Sequence, residues 1–379
     1  MKILLVMDQY DSANNGTTIS GMRFAQGLRD HGNQVQVVAT GPAAPEKYPV
    51  PTIRLLPIVK GIVSKQGMCF GWPDRKVLRE AISQAEVVHF MMPFPLSQVG
   101  LGIAEELGVP HTAAFHVQPE NITYTIGLGN NDWVNTAIYR YFRDHFYNRI
   151  GHIHCPSAFI ADQLRKNGYT ADLHVISNGI DPAFVYRKRP KPDAWRNRFV
   201  ILMVGRLSNE KRQDVLIDAV ARSRHAERIQ LVLAGQGPKE GKYRQLAAKL
   251  AHPIQIGFYD KPDLMDLLAA TDLYVHASDA EIEAISCMEA FASGLVPIIA
   301  NSPKSATPQF AIDERSLFAA GDSQDLANKI DYWIEHPEPR AQMERAYAER
   351  GKQYQLSASI LKAEDMFRQA MAEPPKRSA

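Results

Sequence analysis

Apolar and polar positions alternate along this chain on two periods. Short apolar runs at residues 3–7, 34–39, 87–91 and 111–115 have strand length and predict β-strands. Between and after them, residues 18–29, 74–84, 96–107, 132–148 and 158–166 carry the three-to-four spacing of amphipathic helices. Gly32, Gly108 and Gly168 stand where helix C-terminal stops belong. Strand–helix alternation of this kind predicts a parallel sheet covered on both faces.

The pattern breaks at residues 186–193, a basic, proline-rich stretch without periodicity that reads as a linker. It then restarts, with strands predicted at 199–204, 230–233, 254–256, 273–276 and 296–299. Residues 356–371 again have helical spacing. The fold class expected is α/β, as two doubly wound Rossmann-like domains facing a cleft. A first domain is expected over 1–182 and a second over 183–353, with a terminal helix in 354–379 whose return onto the first domain periodicity alone does not give. In such sheets ligands bind beyond the carboxyl ends of the strands, so motifs at strand ends carry the most weight.

Composition narrows the function only a little. The 379 residues are 45% hydrophobic and 22% charged with net charge +2, which fits a globular protein of two domains and does not call for nucleic acid. Cys69, Cys155 and Cys287 are odd in number and lack C-x-x-C spacing, so neither a disulfide framework nor a zinc site is expected, and a reducing cytoplasm fits. Asp8 ends the first apolar run too early for a signal peptide. No run is long enough to span a bilayer, so any membrane contact is expected to be peripheral, on the cytoplasmic face.

The chemistry concentrates in Glu281-Ile282-Glu283-Ala284-Ile285-Ser286-Cys287-Met288-Glu289. Two acids eight residues apart are separated by about 12 Å if the segment is helical, too far to share a proton. They suit the two ends of one long ligand, with a helix N-terminus holding phosphate between them. Gly205-Arg206-Leu207-Ser208-Asn209-Glu210-Lys211 follows a strand, where two cations can close on a diphosphate or simply face solvent. Gly16 opens the first helix as either an anion-binding turn or a plain cap. His116 ends a strand, and His89 sits among apolar neighbours. No histidine has metal-ligand spacing and no D-x-D occurs, so no metal is inferred. The segment 131–151 interleaves Trp133, Tyr139 and Phe142 with Arg140 and Arg143, which suits either an anionic membrane surface and acceptor contact or a core helix with solvated arginines. The glycine fingerprints of dinucleotide and P-loop sites are missing.

Together these residues resemble glycosyltransferase family 4, of GT-B fold, along nearly the whole chain. Asn178-Gly179-Ile180-Asp181 is similar to the family's interdomain segment, Gly205 to Lys211 to its phosphate motif, and Glu281 to Glu289 with Gly294-Leu295-Val296-Pro297 to its E-x7-E element. The resemblance implies that Arg206 and Lys211 neutralise the donor diphosphate and that Glu289 holds the ribose. Glu281, with Ile282, Glu283, Ala284 and Ile285, faces the donor sugar; His116 lines that sugar, and Gly16 approaches the phosphates. Two departures stand out: Glu283-Ala284 replaces an aromatic–glycine pair, and Asn301 to Thr307 replaces a glycine pair. With His116-Val117-Gln118-Pro119-Glu120-Asn121 they resemble the bacterial lipid-directed subgroup, such as diacylglycerol glucosyltransferases. The function implied is retaining, metal-independent transfer of glucose or galactose from a UDP-sugar to a membrane lipid. A saccharide acceptor and a non-catalytic sugar-nucleotide binder are the alternatives.

Overall fold

The computed structural model describes residues 1–11, 16–54, 69–125 and 127–373. It divides into two units, one built from residues up to Asn178 together with the C-terminal helix Leu356–Ala372, the other from Gly179–Gln355. Ile180 belongs with the second because its N–H donates to the Tyr354 carbonyl at 2.8 Å.

The first unit holds a parallel sheet of β1 (Lys2–Val6), β2 (Gln34–Thr40), β3 (Lys47–Val50), β4 (Val87–Phe90), β5 (His111–Ala114), β6 (His152–Cys155) and β7 (Asp172–Val175). Its order is β3-β2-β1-β4-β5-β6-β7, so strand order reverses between β1 and β4. The residues of β4, β5 and β6 are all buried, as expected for strands covered on both faces. β1, β2, β4 and β5 were predicted almost to the residue; β3, β6 and β7 were not. Polar or prolyl residues interrupt their apolar runs, and only tertiary partners make them strands. His154, for example, is buried because its Nε2–H donates to the Ile176 carbonyl at 2.7 Å.

Helix ends follow the glycines. Gly32, Gly108 and Gly168 have φ of 84°, 67° and 77°, the left-handed region that stops a helix without a Cβ penalty. The helix Asp132–His145 is shorter than predicted, because Phe146 turns away with φ −142° and a 3-10 turn, Tyr147–Arg149, follows. The C-terminal helix lies on helix Gly16–Asp30: Phe367 meets Phe24 edge-on at 6.4 Å, and Asn33 Nδ2 donates to Glu364 Oε1 at 2.6 Å. Asn14 and Asn15, which precede Gly16 in the turn read as either an anion site or a plain cap, lie outside the described residues.

The second unit repeats the plan with β8 (Phe199–Val204), β9 (Ile229–Ala234), β10 (Gln255–Gly257), β11 (Leu273–His276), β13 (Pro297–Asn301) and β15 (Leu317–Ala319), ordered β10-β9-β8-β11-β13-β15. Here the reversal falls between β8 and β11. A two-stranded sheet of β12 (Ala280–Glu281) and β14 (Lys304–Ser305) stands beside it. Among the described residues, no helix is long and apolar enough to cross a membrane.

Candidate active site

The carboxyl ends of β8 and β11 converge on a cluster of charge. From β8 the chain turns through Gly205 to Arg206 and Leu207, and from β9 through Gly235 to Gly237. A Cβ on Gly235 would lie 2.0 Å from the Gly205 carbonyl oxygen, so this close approach of two loops requires glycine. Leu207 is buried and donates its N–H to Gln236 O at 3.0 Å, while Gln213 Nε2 donates to Arg206 O at 2.8 Å. These contacts fix the loop that presents Arg206 and Lys211. Burial pulls the Arg206 guanidinium below its ordinary value, opposed by the Glu210 charge.

Opposite this loop stands Glu281, 7% exposed. Its Oε1 receives both Lys211 Nζ and His276 Nε2, the latter at 3.0 Å. Burial alone would raise its carboxyl; Lys211 and His276 outweigh that and hold it below the usual carboxylate range. His276 ends β11, is fully buried, and has Tyr274 Oη 3.2 Å from its Nδ1. Sequence reading missed His276. Its signal was there, a histidine closing a predicted strand five residues before the first acid, as His116 closes another.

Glu281 is not helical, which corrects the spacing argument. It lies in β12, paired with Ser305 of β14, and Ala306 N–H donates to its carbonyl at 2.9 Å. The 301–307 segment, which departs from the family pattern, therefore supplies the strand that backs the first acid. The helix begins only at Ile285 and runs to Ala292, carrying buried Glu289. Ala284, at its N-cap, has φ 68° and ψ 72°. This left-handed conformation costs an L-residue about 1 kcal/mol, which is why glycine suits the position. Glu283 is buried; burial, opposed by Arg350 and aided by Glu283, pushes the Tyr354 phenol up. Ile282 and Ile285 are half-buried. The second unit thus brings together Lys211, His276 and Glu281, presents Arg206 on the loop after β8, and sets Glu289 on the helix that follows Glu281.

Gly16 and His116 belong to the first unit. Gly16 is exposed at the start of its helix, with open space where a Cβ would stand. His116 is buried and packs edge-on against His154 at 5.3 Å. Burial, then the neighbouring His154, lowers it to about 3, and its Nε2 has no protein partner. His116 is therefore a neutral ring at physiological pH.

The helix Asp132–His145 splits its predicted contact residues. Tyr139 and Phe142 are buried, Tyr139 stacked on Phe115 at 5.8 Å and donating to Glu120 Oε2 at 3.3 Å. That corrects their assignment as membrane or acceptor contacts: the helix turns these two rings inward. Trp133 is 80% exposed, Arg140 is exposed, and Arg143 donates to Asn167 O at 2.9 Å. Arg140, Arg143 and Lys166 line a surface cavity of about 410 Å³. Among the described residues, one group has metal-binding proximity, His152, Asp172 and Glu373, and none of these is a residue of the sites above.

Comparison with known proteins places these features. Residues 14–184 match the profile of "Glycosyltransferase Family 4" and residues 186–350 that of "Glycosyl transferases group 1". Alpha-monoglucosyldiacylglycerol synthase of Streptococcus pneumoniae is 24% identical over 79% of this chain and 71% of its own length. The catalytic domain of a cholesterol-alpha-glucosyltransferase from Helicobacter pylori is 50% identical, covering 41% of this chain and 98% of that one, with a TM-score of 0.40. Anabaena HepE in complex with UDP has the same fold at 19% identity, covering 97% of this chain and 100% of that one, with a TM-score of 0.73. With both profiles matched in order and both sheets doubly wound, the chain belongs to the family 4 glycosyltransferases of GT-B fold, and is similar to their lipid-directed members.

Proposed function

We propose that this glycosyltransferase moves a hexose, glucose or galactose, from a UDP-sugar to the hydroxyl of a membrane lipid such as diacylglycerol, with retention of anomeric configuration and without metal. The observation that carries the reading is the charge cluster at the reversal point of the second sheet. Arg206 and Lys211 bring two cations to the place where a diphosphate develops charge as it leaves, and such preorganised charge is the largest single source of rate in many enzymes. Glu281, held ionised by Lys211 and His276, accepts hydrogen bonds from sugar hydroxyls, and Glu289 takes the ribose. On this reading the acceptor attacks from the face the leaving group vacates. The C–O bond to phosphate breaks as the new glycosidic bond forms, and the departing phosphate oxygen takes the acceptor's proton. No side-chain base is then required. HepE's complex with UDP supports the donor class.

The lipid acceptor is supported by the name of the pneumococcal relative and by the outer face of helix Asp132–His145. Exposed Trp133, on the same helix as Arg140 and Arg143, offers an aromatic anchor, and Arg140, Arg143 and Lys166 offer a basic cavity, to an anionic surface. The protein would work as a peripheral enzyme at the cytoplasmic face of the membrane. Purified protein given labelled UDP-glucose or UDP-galactose and diacylglycerol in anionic vesicles, without added metal, should yield a chloroform-soluble labelled product. Sugar release with no lipid product would move the acceptor to a saccharide, and UDP binding with neither would leave a non-catalytic binder.

A further inference from the structure

The reversal point of the first sheet holds another buried carboxyl, one that the chemistry above does not use. Asp8 follows β1 closely and Met92 follows β4, the two neighbours between which strand order turns. In an open doubly wound sheet, the crevice beyond that pair is where ligands bind. A small cavity lies there, lined by Met7, Asp8, Thr17, Thr18, Cys69 and Met92 among others, with about 20 Å³ of room for a water-sized group. That accommodates one hydroxyl and no more.

Asp8 is built to meet such a group. It is 4% exposed, and its Oδ1 accepts from the Gly71 N–H at 2.9 Å. Oδ2 is buried and has no hydrogen-bond partner. A buried acceptor left without a donor costs about 1–3 kcal/mol, so a ligand donor gains most at that atom. Burial raises the Asp8 carboxyl to about 7, opposed only by backbone donors. Among the described residues no lysine or arginine lines the cavity, which disfavours a phosphate or carboxylate. Two methionines and a cysteine give it a soft, apolar wall.

We propose that Asp8 Oδ2 accepts a hydrogen bond from the hydroxyl of an uncharged alcohol with an apolar body, the body staying outside the cavity and the hydroxyl entering it. On the reading of function given above, that alcohol is the lipid acceptor, and Asp8 is the group that fixes its nucleophilic oxygen.

Cys69 makes the proposal testable without any turnover. It lines the cavity and is half-exposed, whereas Cys155 and Cys287 are buried. Dioctanoylglycerol should slow alkylation of Cys69 by N-ethylmaleimide in the wild-type protein by about tenfold, and by no more than about twofold in Asp8→Ala or Asp8→Asn, a change of one decade in occupancy terms. Cys155 and Cys287 should stay unreactive throughout. If Asp8→Ala exposes them, the chain has opened and Asp8→Asn, which keeps an acceptor for Gly71, gives the result. Equal protection in wild type and Asp8→Asn, or none in wild type, overturns the assignment. Protection that depends on Asp8, with no glycolipid formed in a parallel transfer assay, would uphold the site and sink the proposed reaction instead.

Discussion

The two units set a buried carboxyl at or beyond the reversal point of the same kind of sheet, and the two carboxyls titrate in opposite directions. Glu281 has Lys211 and His276 on one oxygen and is held below the ordinary range despite burial. Asp8 has backbone donors only and is raised to about 7. Burial is nearly equal, so the difference lies in the partners. The lesson is that one architecture makes two kinds of ligand site, according to whether the loops beyond the strands supply cations. The second unit suits a charged nucleotide-sugar; the first suits something neutral.

The comparison breaks most visibly if the cations of the second unit are removed. Arg206→Ala should lower turnover by about 10²-fold or more while leaving the melting temperature nearly unchanged, whereas Lys211→Ala should lower turnover as far and also lower the melting temperature, because it strands the buried Glu281 carboxylate, as measured by steady-state transfer and calorimetry. Turnover within about threefold of wild type would mean that neither side chain meets the diphosphate.

The pH dependence of stability tests the two carboxyls against each other. A raised carboxyl gives stability that is fully present below its unfolded pKa and lost as pH rises to the folded value. Asp8 should therefore cost the protein on the order of a few kcal/mol between about pH 4 and pH 7. Glu281 has the opposite sign: its contribution is present above its unfolded pKa and lost as pH falls toward the folded value. Denaturant melts of Asp8→Asn should show a weaker loss of stability from pH 4 to pH 7 than wild type. In Glu281→Gln the loss on acidification should shrink instead. Parallel curves for wild type and Asp8→Asn would show that Asp8 is not desolvated as drawn.

A smaller effect separates the two partners of Glu281. His276→Ala should reduce transfer about tenfold, and its loss should not add to that of Lys211→Ala, since both act on one oxygen. Strict additivity in the double variant would assign His276 to packing alone. Smallest is the backbone effect: Ala284→Gly should stabilise the protein by about 1 kcal/mol at most, because glycine relieves the left-handed strain while losing more entropy on folding.

Much of this was legible along the chain, for identifiable reasons. Strands such as β1, β8 and β11 are continuous apolar runs between turn residues, and Gly32, Gly108 and Gly168 mark helix ends by a conformation only glycine takes cheaply. The cations after β8 and the acids around the helix Ile285–Ala292 follow from motif spacing. What did not follow has one cause. Strand β6 contains histidines whose burial depends on partners distant in sequence, β7 is a strand only by pairing with β6, and β12 exists only because β14 pairs with it. Tyr139 and Phe142 look like Trp133 in sequence, yet helical phase against Phe115 sends them inward.

The sequence by itself determined the alternation of strands and helices, the family, and the identity of the charged groups proposed to meet a nucleotide-sugar. Local spacing and residue chemistry suffice for these. Only the tertiary structure decided that Lys211 and His276 share one oxygen of Glu281, and that Asp8 lies buried at a strand reversal with an acceptor atom unmet. Those are properties of neighbours brought together across many residues, and a side chain's protonation and hydrogen bonding are set by its neighbours.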